Sequence, residues 1–292
     1  MSNLCQTKVR HKYGKRNLYN VAPFVDFITC LLNSLNQMRL VFLTQEDPFY
    51  LPKIYKYLLP KLITEGHDVV ACVLFDVAPF GKKESKFKQL IDTFKVFGVV
   101  FTIHYILQYA KGILGRDVKG VMEENGIETV KLANGVNHPE SLEIIQNFKP
   151  DLLVSLAGNE IFKQPLFESA KYGVINLHSA LLPKYRGLMP SFWVMRHNEE
   201  KTGVSVFFVD EGIDSGPIIV QKEVPLLNRS QAELIWELKY RGADAIVEAC
   251  NLVAEHGENT PTMANDEKDM TYYSRPTKED VKEFKSIGKK FY

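Results

Sequence analysis

An α/β fold, with a mostly parallel sheet covered by helices on both faces, is what this sequence predicts, and three observations carry that reading. From residue 39 onward, short apolar runs alternate regularly with amphipathic stretches, the pattern of repeated βα units. Runs such as residues 69–74, Val-Val-Ala-Cys-Val-Leu, are apolar throughout instead of alternating, which suits a strand buried on both faces of a parallel sheet. At 292 residues and 45% hydrophobic composition, the chain can bury a substantial core.

Residues 1–37 stand apart, with a basic opening over 8–16 followed by an apolar run over 21–35 that Asp26 interrupts. That charge, and the lack of a small-x-small cleavage site, argue against a secretory leader. The stretch therefore reads as a dispensable extension ahead of a domain spanning 38–225. Residues 40–43 form the first strand and 50–65 carry a helical stripe; Asp68–Phe75 is the second strand and Lys86–Phe97 an amphipathic helix. Strands follow at 99–103, 128–131 and Leu152–Leu156, with helices over 105–113, 118–125 and 139–148 between them. Residues 174–177 are apolar and β-branched, and Pro183 and Gly187 forbid both helix and ladder soon afterwards. Pro190 can open a helix that 191–197 continue, with Trp193 and Met195 as core residues. Residues 202–210 make the next buried strand, and 211–217 a loop punctuated by Gly212, Gly216 and Pro217. A helical C-terminal tail over 226–292 holds a long helix at 232–256 and a short charged one at Lys278–Ser286.

Composition excludes several function classes. Lysine and arginine number 36 against 35 acids, so a net charge of +1 gives no bulk argument for nucleic acid or membrane. Lys82, Lys83, Lys86 and Lys88 make a local basic patch, read first as a solvated face and second as a phosphate or tRNA contact. Cys5, Cys30, Cys72 and Cys250 lie far apart without a C-x-x-C pair, which fits neither a disulfide scaffold nor a zinc site and points to a reducing cytoplasm. No G-x-G-x-x-G follows the first strand and no G-x-x-x-x-G-K-[ST] occurs, so a dinucleotide enzyme or P-loop NTPase is unsupported.

The chemistry gathers at the end of the 174–177 strand. Strand side chains alternate, so Asn176 and His178 project to one side with Leu177 opposite, delivering an amide and an imidazole together where open α/β sheets bind ligands. An isolated Asn-x-His is most often a strand end with a hydrogen-bonded loop histidine. The longer run Asn176-Leu-His-Ser-Ala-Leu-Leu-Pro-Lys-Tyr-Arg-Gly187, however, resembles the signature of the folate-dependent formyltransferases, the family of methionyl-tRNA formyltransferase and glycinamide ribonucleotide formyltransferase. Ser179-Ala180 departs from the Pro-Ser or Gly-Ser usual there. Alone, Asp214 between glycines is a turn-former. Thr202-Gly-Val-Ser followed by Asp210-Glu-Gly-Ile-Asp-Ser-Gly-Pro217 nonetheless resembles the family's second signature at its usual distance from the first. Residues 150–158, Pro-Asp-Leu-Leu-Val-Ser-Leu-Ala-Gly, are similar to the family segment whose following main chain lies along the folate ring. The resemblance covers 38–224.

It implies a Rossmann-like formyltransferase fold and transfer of a formyl group from N10-formyltetrahydrofolate to an amine, without a metal. Asn176, His178 and Asp214 are the implied catalytic residues, as oxyanion donor, proton carrier and orienting carboxylate. Backbone at Glu160, Ile161 and Phe162, with Asp210, Glu211 and Gly212, is the implied cofactor contact. Methionyl-tRNA formyltransferases add a β-barrel after this domain, and residues 226–292 show too little strand pattern for one. The expected acceptor is thus a small-molecule amine, an amino sugar first, with methionyl-tRNA as the alternative. A formyltetrahydrofolate deformylase, a hydrolase, is a further alternative; its regulatory domain exceeds what residues 1–37 can build. A non-catalytic binding module has no chemical need for Asn, His and Asp together.

Overall fold

The computed structural model describes residues 37–76 and 86–292, so the N-terminal extension, Cys5, Cys30, Lys82 and Lys83 lie outside the described residues. Seven strands share one sheet: β1 (Arg39–Gln45), β2 (Asp68–Phe75), β3 (Glu128–Val130), β4 (Leu152–Leu156), β5 (Val174–His178), β7 (Lys201–Phe208) and β8 (Ile218–Pro225). Their order is β3-β2-β1-β4-β5-β7-β8. All pairs up to β5 are parallel, and β7 and β8 close the edge antiparallel. Two short strands, β6 (Arg186–Gly187) and β9 (Tyr272–Tyr273), pair separately.

The unbroken apolar runs explain the layers. In β1, Leu40 and Phe42 join one core cluster while Val41 and Leu43 join another, so alternate residues feed opposite faces of the sheet. Full burial of such a side chain contributes about 1.5–3 kcal/mol. Helix α1 (Leu51–Thr64) starts where both Asp47 carboxylate oxygens accept from the backbone N–H groups of Phe49, Tyr50 and Leu51. Between β2 and β3 lie α2 (Lys86–Phe97), α3 (Val99–Leu114) and α4 (Val118–Glu124); α5 (Pro139–Asn147) precedes β4, α6 (Gln164–Phe167) precedes β5, and α7 (Pro190–Arg196) precedes β7. The chain finishes with α8 (Gln231–His256) and α9 (Lys278–Ser286).

Residues 99–103, expected as a strand, are instead the opening of the 16-residue α3. Their β-branched composition favours a strand locally, but Gly98 at φ +85° turns the chain back on α2, and Phe101 stacks on Phe97 at 4.5 Å between ring centres. Helix α8 is tied into the same core as the sheet. A capping box of Ser230 and Glu233 opens it, and Leu234, Leu238, Ile246 and Val253 bury in the cluster that holds Leu40 and Leu177. At Gly242 a Cβ would lie 2.4 Å from Leu177 Cδ2, so this glycine lets α8 press on β5 at the residue between Asn176 and His178.

Candidate active site

His178 ends β5 and is 6% exposed. Its Nε2 lies 2.7 Å from the Tyr185 carbonyl oxygen, which only accepts, so Nε2 carries the proton of that hydrogen bond. Nδ1 then faces Asp214 Oδ2 at 3.5 Å. Asp214 sits in the left-handed region at φ +50° on the loop joining β7 to β8, and its Oδ2 also accepts from Gly187 N at 2.9 Å. The loop that follows β5 is bound from below by β7 and β8: Ser205 Oγ donates to the Ala180 carbonyl and accepts from Leu182 N, and Gln221 Nε2 donates to the Leu182 carbonyl. Asn176 is half-buried between Ser155 of β4 and Phe207 of β7. Its neighbours Ile175 and Leu177 enter the opposite core cluster, so strand alternation puts its amide on the His178 side.

Residues 265–273 brace both loops. Asn265 Nδ2 donates to the carbonyls of Asp214 and Gly216, each at 2.9 Å, while its Oδ1 and backbone oxygen accept from Arg186 Nη2 at 2.8 and 3.0 Å. Arg186 is 4% exposed and no carboxylate among the described residues pairs with it; Asn265 satisfies Nη2, Met270 Sδ lies 3.8 Å from Nη1, and Nε has no partner among the described residues. Thr271 Oγ1 accepts from Tyr185 N, and the β6–β9 pairing is continued by Leu188 N donating to the Tyr273 carbonyl. Gly187 has φ +94°, and a Cβ there would lie 2.3 Å from that carbonyl oxygen; only glycine lets the two segments approach. The Tyr185 hydroxyl donates to Glu199, and burial first, then that carboxylate, pushes its pKa up.

A cavity of about 700 Å³ opens over this frame. Gln45 at the end of β1, Ala157 to Asn159 after β4, and His178 and Ser179 at the end of β5 form its floor. These are the carboxyl ends of neighbouring parallel strands, at the point between β1 and β4 where strand order reverses. Ser179 lines the space, whereas the Ala180 side chain is fully buried in the core. The facing wall comes from α2 and α3, chiefly Phe97, Phe101, Tyr105 and Tyr109; Lys239 and Arg275 also line the cavity, with no carboxylate among the described residues of the lining. Burial lowers the Lys239 pKa, with a partial offset from Asp47.

The structure thus brings His178 and Asp214 together, with Asn176 on the same strand face. The expected cofactor residues lie elsewhere and do not line this cavity. Glu160 Oε2 accepts from Val136 N, the Ile161 carbonyl accepts from Asn137 Nδ2, and Phe162 is buried in the core. Asp210 Oδ1 accepts from Gly212 N and Ser215 Oγ, leaving Glu211 and Gly212 exposed. Each of these two loops displays an exposed isoleucine, Ile161 and Ile213, apolar surface of the kind a flat ring system covers. Sequence reasoning missed Arg186, Lys239, Asn265 and Thr271. Arg186 lay inside the quoted signature, and the other three carry no local pattern. A buried imidazole facing a carboxylate, beside an amide donor and under a cavity, can move a proton and steady a developing oxyanion, which is what acyl transfer asks of a site.

Comparison with known proteins agrees with this chemistry. The family described as Formyl transferase matches residues 100–250, a stretch that includes β4, β5 and the Asp214 loop. Methionyl-tRNA formyltransferase from Clostridium novyi (strain NT) is 32% identical over 182 residues, 62% of this chain and 59% of that protein. The chain spans about half the length of the curated relatives it matches. Glycinamide ribonucleotide transformylase 1 from Symbiobacterium toebii shares the fold with a TM-score of 0.54 at 18% identity, covering 79% of this chain and 95% of that one. The N-formyltransferase from Helicobacter canadensis, in complex with folinic acid and dTDP-3-aminofucose, gives 0.53 at 17% identity, with 80% and 70% covered. These two likenesses establish the Rossmann-like fold. With half of its length matched, from the cavity wall on α3 through His178 to Asp214 and into α8, the chain belongs to the formyl transferase family.

Proposed function

We propose that the protein transfers a formyl group from N10-formyltetrahydrofolate to the primary amine of a small molecule, an amino sugar first. The observation that carries this reading is the His178–Asp214 pair set beneath a cavity of about 700 Å³ in a member of the formyl transferase family. That volume falls in the range of small-molecule sites, roughly 300–1,000 Å³. The folate-binding neighbour from Helicobacter canadensis, solved with an amino-sugar nucleotide, supports the same choice.

The reduced folate supplies the formyl carbon, carried on N10. The chain's residues do the rest. His178 takes a proton from the attacking amine and returns it to the departing nitrogen, while Asp214 holds the ring in register. Asn176 presents N–H groups for the oxygen on which charge develops, and removing one such donor elsewhere costs about 2.7–4 kcal/mol of barrier. Backbone of the loops at 160–162 and 210–212, with Ile161 and Ile213, would hold the folate ring.

A second reading, methionyl-tRNA as acceptor, is favoured by the names of the sequence relatives. The net charge of +1 gives no bulk argument for a polyanion of that size. An acceptor screen coupled to tetrahydrofolate release separates the readings, using amino-sugar nucleotides, glycinamide ribonucleotide, charged initiator tRNA and water alone. Turnover on a small amine is the expected result. Activity on tRNA alone refutes the small-amine acceptor, acceptor-independent release moves the protein to the deformylase class, and no thermal shift with millimolar 5- or 10-formyltetrahydrofolate sinks the donor assignment.

A further inference from the structure

The helical hairpin α2–α3 displays apolar surface that its packing does not use. Phe87 and Phe94 on α2, and Val100, Ile103, Leu107 and Leu114 on α3, are each more than half exposed. On α3 they recur three, four and seven residues apart and so share one face, while Thr102, Tyr105 and Tyr109 turn inward. A contiguous outward apolar face of this kind marks an interaction site in a folded protein.

Its charge identifies the partner. Residues 86–116 hold Lys86, Lys88, Lys95, Lys111 and Arg116 against Asp92, and with Arg116 paired to Glu124 the lysines remain in excess, although the whole chain carries only +1. Lys111 lies four residues after Leu107 and three before Leu114, at the border of the apolar face, and Lys88 and Lys95 follow Phe87 and Phe94 at the same seven-residue spacing. Beside the hairpin, a second cavity of about 590 Å³ is lined by Lys53, Lys56, Lys111 and Arg116 and, among the described residues, by no aspartate or glutamate, Arg116 pairing with Glu124 outside it. Helix α3 has 16 residues, about 24 Å of length against a hydrocarbon core of about 30 Å, and no helix among the described residues is long and apolar enough to cross a membrane. An apolar stripe edged by lysines on a helix too short to span suits the plane of a lipid interface.

We propose that the α2–α3 hairpin docks on an anionic lipid bilayer, with its apolar face at the headgroup–acyl boundary and its lysines against lipid phosphates. Whole-chain charge gave no sign of a membrane partner; the local clustering does. A second copy of the chain on this face would set lysine against lysine, which costs affinity. The inner side of the same hairpin walls the catalytic cavity, and Ile106 belongs to both the exposed surface and the cavity lining. Docking therefore leaves one helix layer between the cavity and the lipid, with Ile106 reaching both, and, resting on the formyl-transfer reading, selects an amine carried on an amphiphile.

The test is co-sedimentation of the full chain with phosphatidylcholine vesicles, with and without phosphatidylglycerol. Binding should be about tenfold tighter or more on the anionic vesicles and weaken at high salt. The double variant Ile103→Asp/Leu107→Asp, altered only at exposed positions outside the cavity, should lose about tenfold or more of that binding while keeping its thermal shift with formyltetrahydrofolate. No binding to anionic vesicles, or binding unchanged in the double variant, overturns the proposal. So does a dimer in analytical ultracentrifugation that the same variant dissolves while vesicles are ignored. Thermal shift with formyltetrahydrofolate, measured on the same preparations, separates the two readings: protein that binds the folate and ignores vesicles condemns the docking alone, and protein that binds vesicles but not the folate condemns the formyl-transfer reading alone.

Discussion

The two walls of the catalytic cavity are built by opposite means. The frame beneath the floor, from His178 to Leu188 with the Asp214 loop, is fixed by directed hydrogen bonds that Ser205, Gln221 and Asn265 donate to main-chain carbonyls and that Thr271 accepts from Tyr185 N. The facing wall, α2 and α3, is held by ring stacking such as Phe97 on Phe101 and leaves much of its apolar surface outside. Proton transfer tolerates errors of only about 0.5 Å in its participants, so the reacting groups sit where polar partners over-determine position. Apolar packing is less directional and easily altered without disturbing the chemistry.

Breaking the floor should give the largest effects. His178→Ala and Asp214→Asn are each expected to lower kcat by about 10²–10⁴-fold while thermal unfolding stays cooperative, because the roles are proton transfer and orientation. Near-normal turnover in either variant would end the assignment. Asn265→Ala comes next. It strips a donor from the Asp214 and Gly216 carbonyls and an acceptor from the buried Arg186, which should cost about 1–3 kcal/mol in chemical denaturation. Because Asp214 would shift relative to His178, kcat should fall by about tenfold with KM for the amine nearly unchanged. A stable variant with wild-type kcat would reduce residues 265–273 to packing.

Smaller effects probe the frame beneath both walls. His67 is 4% exposed, with Nε2 2.9 Å from Asn251 Oδ1 on α8, and burial lowers its pKa while that hydrogen bond only partly offsets the shift. The unfolded chain therefore takes up the proton first as pH falls. The neutral ring's contribution is intact above an unfolded pKa of about 6.5 and is lost as pH drops through the lower folded value. Thermal unfolding of His67→Gln should show a flatter dependence on pH below 6.5 than the parent, about 6.5 being the unperturbed midpoint; parallel curves would exclude His67. Smallest of all, deleting residues 1–37 is expected to leave stability and turnover almost unchanged, and insoluble protein after that deletion would place the extension in the core.

Legibility followed the distance over which each feature is determined. Strands β1, β2 and β4 could be read directly because burial on both faces leaves an unbroken apolar run, and α8 because its amphipathic stripe extends over 26 residues. The start of α3 could not. Val99, Val100 and Ile103 favour a strand over five residues, and only the full helix shows the outward stripe beside inward Thr102, Tyr105 and Tyr109. His178 and Asp214 were legible as motif residues, and the structure supplies what motifs lack, their 3.5 Å separation. Asn265 was invisible for a different reason. Its partners are backbone oxygens and a guanidinium 49 to 79 positions away, and a main-chain acceptor imprints nothing on sequence.

The parallel pairing of Arg186–Gly187 with Tyr272–Tyr273 has a consequence in time. A ribosome delivers the chain from its N-terminal end at about 5–20 residues per second, so the sheet through β8 is made well before residue 265. Until the later segment docks, Arg186 lacks its Asn265 acceptors and the Asp214 loop lacks the Asn265 donor, keeping only its bonds to Gly187 N and within itself. The nascent protein can hold a finished sheet before residues 265–273 are in place, so the ordering of its loops is scheduled by a segment made after that sheet.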